Sequence, residues 1–179
     1  MKGPLKLAQL IDVLNDRVAV IAAYFVLLAC LVSGANAALR YSFNLGSNAW
    51  LELQWYLFAG IVMFGTAKVL RVNEHVRVDI IYGGRSSRSK ATIDLLGLLI
   101  FLLPMTLLMI YLSWPFVLDS YVSKEMSNNS GGLMRWPFKA ILPLGFALLA
   151  LQGVAEIIKR VAYLRGELRM DTHYDRPLQ

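Results

Sequence analysis

Any chemistry in this chain would have to start from ionisable and amide side chains set in or beside long apolar runs, where such groups are costly and tend to be used. Glu52 opens one such run, one turn ahead of Trp55 and Tyr56. As an interfacial residue it would pair with Arg40; as a functional one it would contact another subunit or carry a proton. Glu156 stands four residues before Arg160 and close to Lys159, the spacing of an intrahelical ion pair, and Gln152 lies one turn earlier. Gln152 and Glu156 thus form a polar stripe of the kind that faces neighbouring helices more often than lipid. His75, Arg77 and Asp79 cluster in Asn73-Glu74-His75-Val76-Arg77-Val78-Asp79-Ile80-Ile81-Tyr82. This reads as a polar loop network in which Asp79 caps a short interfacial helix starting at Ile80, with His75 hydrogen-bonded rather than sensing pH or binding metal.

Enzymatic and cofactor chemistry find no footing. The two histidines, His75 and His173, lie outside the apolar runs, so paired imidazoles cannot hold a haem there, and Cys30 alone builds neither a zinc nor an iron–sulfur site. No phosphate-binding loop, H-E-x-x-H helix, nucleophile motif or catalytic pair of acids is present. We therefore expect no catalytic, cofactor-binding or metal-ligating residue.

The elements that carry these residues follow from composition. Of 179 residues, 57% are hydrophobic and 17% charged, against about 25% charged in a soluble domain, and the mean hydropathy is +0.53. The chain is expected to be one all-α membrane domain over 1–179, with four transmembrane helices at about 18–39, 50–71, 93–116 and 140–162. Ahead of the first span Leu7, Leu10, Ile11, Leu14 and Val18 recur at helical spacing opposite Gln9, Asp12 and Asp16. Residues 5–17 read as an interfacial amphipathic helix, or equally as a straight extension of the first span. Pro104 should kink the third span and Pro115 sits near its end. Residues 171–179 form a polar tail. Ala35-Asn36-Ala37 resembles a leader cleavage site, but the long preceding segment with Asp12 and Asp16 argues that the first span is retained. Cys30 reads as a small core residue.

The net charge of +6 is an orientation signal rather than a nucleic-acid footprint. The N-terminal segment, the connection after the second span and the tail hold 14 Lys and Arg, and the other side holds four: Arg40, Lys124, Arg135 and Lys139. Both termini are expected in the cytoplasm. Ala59, Gly60, Ala67, Gly145 and Gly153 offer surfaces for close helix approach, within the chain or to a second protein. The long connection at 115–139 is the one sizeable segment on the far side, where a soluble partner could touch.

Taken in order, several motifs resemble the small membrane subunit of a tripartite ATP-independent periplasmic (TRAP) transporter. They are Glu52-Leu53-Gln54-Trp55-Tyr56-Leu57-Phe58, His75-Val76-Arg77-Val78-Asp79, Asp94-Leu95-Leu96-Gly97, Glu125-Met126-Ser127-Asn128 with Gly131-Gly132-Leu133, Trp136-Pro137-Phe138-Lys139 and Gln152-Gly153-Val154-Ala155-Glu156. The similarity covers roughly residues 10 to 165 and is nearest the branch labelled for mannitol, chloroaromatic and oxoacid solutes. It implies a bacterial inner-membrane scaffold beside a large sodium-coupled elevator-type permease subunit, supplied with carboxylates by a periplasmic binding protein. On that resemblance Glu52, Trp55, Gly60, Gln152 and Glu156 would serve helix packing or the subunit interface. Lys124, Glu125, Arg135 and Trp136 would face the binding protein. The alternative is an independent four-helix exporter in which Glu52 exchanges protons with a cationic substrate.

Overall fold

The computed structural model describes residues 2–73 and 84–168. Among them the order is α1 (Lys2–Phe43), α2 (Asn48–Val72), α3 (Ser87–Gly97), a π-turn (Leu98–Leu102), α4 (Leu103–Val122) and α5 (Trp136–Leu164). Four helical segments are long and apolar enough to cross a membrane: Gly3–Phe43, Asn48–Val72, Ser87–Val122 and Trp136–Leu164. Antiparallel succession puts the start of α1, the end of α2, the start of α3 and the end of α5 at one end of the bundle. His75, Arg77, Asp79 and the tail at 171–179 lie outside the described residues.

A lipid solvent selects apolar exteriors, and the interior is where polar groups gather. Leu27, Leu31, Phe101 and Tyr111 are exposed, while the largest fully buried side chains are Gln152, Asn15 and Ser120. Cys30, expected in the core, lies instead on the exposed surface of α1.

α1 is one unbroken helix through the junction at 17–18, which at 1.5 Å per residue is about 63 Å long, twice a hydrocarbon core of about 30 Å. The inward side of its amphipathic start mixes apolar and polar residues, and most of its leucines face out. Ala8, Ile11 and Asn15 are buried, with Ala8 and Ile11 packed on Ala155 and Ile158 of α5, whereas Leu7, Leu10 and Leu14 point outward.

α5 is the central helix and packs against all the others, while α2 packs on α1 and α5 rather than on α3 or α4. Small residues set these distances. A Cβ on Gly145 would lie 2.6 Å from Met63 Cβ and 3.1 Å from the Met63 carbonyl, and one on Gly60 would lie 2.8 Å from the Phe25 ring. Gly145→Leu should therefore lower thermal stability in detergent by about 1–3 kcal/mol through overpacking. Gly34→Leu, where nothing lies within 4 Å, should leave it unchanged; equal melting of both variants would show that α2 and α5 do not need this approach.

The kink expected at Pro104 takes the form of the π-turn. Proline has no N–H, and its ring would collide with the Ile100 carbonyl in a regular helix. The wider turn lets the Leu103 N–H bond to the Leu98 carbonyl, and the Thr106 hydroxyl donates to the Leu102 and Leu103 carbonyls at 2.9 and 3.0 Å. The turn also changes register. Buried positions facing α5 recur seven apart before it, at Ala91 and Leu98, and seven apart after it, at Thr106, Ser113 and Ser120. From Leu98 to Thr106 the step is eight. One residue is thus inserted into a seven-residue repeat, and the π-turn absorbs it so that both halves keep the same face on α5.

Candidate functional site

Two polar clusters close the bundle at its opposite ends. At the far end the connection between α4 and α5 doubles back on itself. The Ser127 N–H donates to the Leu133 carbonyl at 3.0 Å and the Arg135 N–H to the Glu125 carbonyl at 2.9 Å, around a single antiparallel bridge of Met126 with Met134. Gly131, at φ +71°, and Lys124, at φ 50°, take the left-handed backbone that reverses the chain.

Glu52 holds this hairpin. Its Oε1 accepts from the Ser127 hydroxyl and from Asn129 Nδ2 at 2.8 Å, and its Oε2 accepts from the Leu133 N–H at 2.7 Å. The expected partner Arg40 is not among these groups: it lies on an exposed stretch of α1, and the hairpin supplies three converging donors instead. Both carboxylate oxygens are engaged, which makes Glu52 an anchor. Tyr56, one turn on, donates to the Met134 carbonyl at 2.9 Å and stacks on Phe138 with ring centroids 4.7 Å apart; Asn48 donates to the Ser130 carbonyl at 3.0 Å. Gly132 is tight against the anchor, since a Cβ there would meet Ser127 Cβ at 2.4 Å and Glu52 Oε1 at 2.9 Å.

The proposed docking residues divide by role. Glu125 pairs with Lys139, whose ammonium also sits 3.9 Å from the centroid of the Phe116 ring. The Lys139 contact holds the Glu125 carboxyl below its ordinary value of 4.5. A lowered native pKa means that the pair's contribution is complete above about pH 4.5 and is lost as pH falls through the native value. Hairpin protection from proteolysis is expected to be constant from neutral pH down to about 5 and to weaken below 4.5. Lys139→Met should reduce that acid limb without abolishing it, since the Glu52 carboxylate still holds the hairpin; an unchanged profile would contradict the pairing. Trp136 packs edge-on against Tyr121 at 5.4 Å. Arg135 is half-buried, and Lys124 is exposed.

At the near end, α5 gathers polar side chains from α1 and α3, and α2 joins them through α1. Gln152 accepts from Asn15 Nδ2 at 2.7 Å, and its own amide donates to Asp12 at 2.9 Å and Glu156 at 3.1 Å. Lys159 bridges Asp12 and Glu156 at 2.8 and 2.6 Å. Arg160 makes the expected pair with Glu156 and reaches Asp94 of α3 at 3.1 Å. On α2, Arg71 contacts Asp16 and lies 3.7 Å from Asp12, with Lys68 3.9 Å from Asp16. Among the described residues four carboxylates (Asp12, Asp16, Asp94, Glu156) thus face four cations (Lys68, Arg71, Lys159, Arg160), a set that ties α1, α2, α3 and α5 together.

The remaining predicted residues are placed separately. Gly60 is buried against Phe25, and Trp55 is 62% exposed on α2. Asn15, Asp94 and Arg71 were missed as members of the near-end cluster, and Ser127 and Asn129 as partners of Glu52. The signal for Asn15 was available: it lies on the same helical side as Asp12 and Asp16.

Four helices fit to cross a bilayer, polar inside and apolar outside, define a multi-pass membrane protein. The model of a family described as tripartite ATP-independent periplasmic transporters, DctQ component, matches residues 29–162, and the chain belongs to that family. It is a transporter component and not an enzyme. Comparison with curated proteins and with solved structures returned no match.

Proposed function

We propose that this chain is the fixed membrane subunit beside a large sodium-coupled permease subunit, in a complex that imports carboxylates delivered by a periplasmic binding protein. Membership of the DctQ family carries the reading. The structure supports it in two ways: the near-end cluster pins four elements through paired charges, as a static support requires, and the far end carries a braced hairpin. The charged end and both termini face the cytoplasm in this reading, by the excess of Lys and Arg there. The carboxylate class comes from the resemblance to the family as a whole. Trp55, on the exposed side of α2, belongs to the interface with the large subunit, and the exposed Lys124 with Arg135 to the surface met by the binding protein.

Affinity purification of the tagged chain in mild detergent tests the assembly. A many-span permease should come with it, and recovery of the chain alone in several detergents would overturn the reading. Lys124→Glu with Arg135→Glu should weaken binding-protein docking while the subunits still co-purify; unchanged docking and transport would exclude the hairpin as the docking surface.

A further inference from the structure

Between α2 on one side and α3, the π-turn and α4 on the other, α5 floors a cavity of about 660 Å³, within the range of about 300–1,000 Å³ usual for ligand sites. Its walls are hydrocarbon and aromatic, from Leu70, Leu98, Phe101, Met105, Phe146 and Leu149. The polar groups that reach it are already used. Arg160 is bound to Asp94 and Glu156, and the Thr106 hydroxyl donates to its own helix at the Leu102 and Leu103 carbonyls. A ligand here would find no free charge or unspent donor, so the site selects an apolar occupant. The cavity lies beside segments fit to cross a bilayer, where the surrounding solvent is acyl chain.

The inserted residue of the π-turn explains why the space exists. Leu98, Phe101 and Leu102 of that turn form its wall, and α2 packs on α5 and α1 rather than closing against them. We propose that the π-turn holds open a binding site for one hydrocarbon chain of a membrane lipid. Gly97 lines the same space, and a Cβ on it would meet nothing within 4 Å, so the position is open to a filling side chain. The proposal requires only that these helices cross a bilayer, and it stands or falls separately from the transport role.

The full-length chain is reconstituted in vesicles of phosphatidylethanolamine and phosphatidylglycerol carrying a photoactivatable diazirine on one acyl chain, and labelled peptides are mapped. Label is expected at the half-buried Phe146 and Leu149 severalfold above that at the exposed Leu27 and Leu31. Gly97→Leu should cut the cavity label severalfold and leave the outer label alone; leucine is also the better helix former, so folding is not compromised. Deleting Ile100, an exposed residue of the π-turn, together with Pro104→Ala, which removes the ring the wider turn accommodates, should do the same by restoring the seven-residue repeat. Cavity label no higher than that of the outer face, or unaffected by filling in a variant whose helical circular dichroism is native, would overturn the proposal. So would loss of the label on addition of the large subunit, which would assign the space to a partner's side chain.

Discussion

Arg160→Met is expected to be the most damaging single substitution in the chain, lowering stability by about 3–5 kcal/mol. Arg160 is 6% exposed and stands between two carboxylates, Glu156 on its own helix and Asp94 on α3. Removing it takes from both carboxylates the cation they share in a shielded site, leaving Glu156 to Lys159 at 2.6 Å and to Gln152. The cost of the substitution lies in two shielded negative charges that share less positive charge, more than in the lost attraction. Hence the triple variant Asp94→Asn, Glu156→Gln, Arg160→Met should recover much of the loss, even though it removes more ion pairs. Thermal unfolding of the purified chain in detergent, followed by circular dichroism, reads both. If the single variant melts with the native protein, the near-end cluster does not hold the helices together; if the triple melts below the single, excess negative charge is not the reason.

The second large effect is expected at Glu52. Glu52→Ala removes the acceptor shared by the Ser127 hydroxyl, the Asn129 amide and the Leu133 N–H, three donors from one hairpin. The hairpin at 123–135 has one β-bridge and little other regular structure, so this carboxylate supplies most of what fixes it to α2. Trypsin should cut after Lys124 or Arg135 about tenfold faster or more, because losing even one hydrogen bond to a charged group shifts a local opening equilibrium by that order. The bundle should keep its native circular dichroism. Glu52→Gln should fall between, since an amide has one oxygen for donors that now meet two. Native resistance in the alanine variant would sink the anchor role. A Gln variant that keeps the hairpin closed yet abolishes transport would point instead to proton transfer at this position.

How far the amino-acid sequence reveals this arrangement differs by level. Four apolar stretches, the shortage of charge and the Glu156–Arg160 spacing are properties of neighbouring residues, and each has its counterpart in the structure. The role of Glu52 was not legible in the same way. Its obvious charged neighbour, Arg40, sits across a short loop, whereas its actual donors lie 75 to 81 residues away. Pro104 announces a disturbed helix, but a proline is compatible with a kink, a break or a wider turn. Only the eight-residue step between Leu98 and Thr106, seen once burial is known, shows which one the fold uses.

The start of α1 makes the contrast plain. Leu7, Leu10 and Leu14 identify an amphipathic helix by spacing alone, and in water that pattern would send the leucines inward. In the folded chain they point out, and Asn15 reaches Gln152, 137 residues away, across the interior. The sequence by itself determined the solvent, the number of crossings and the helical period, because transfer of side chains between water and lipid depends on local composition. The tertiary structure decided which polar groups meet, since an amide or carboxylate shielded from water must find a partner, and that partner is set by how distant helices pack.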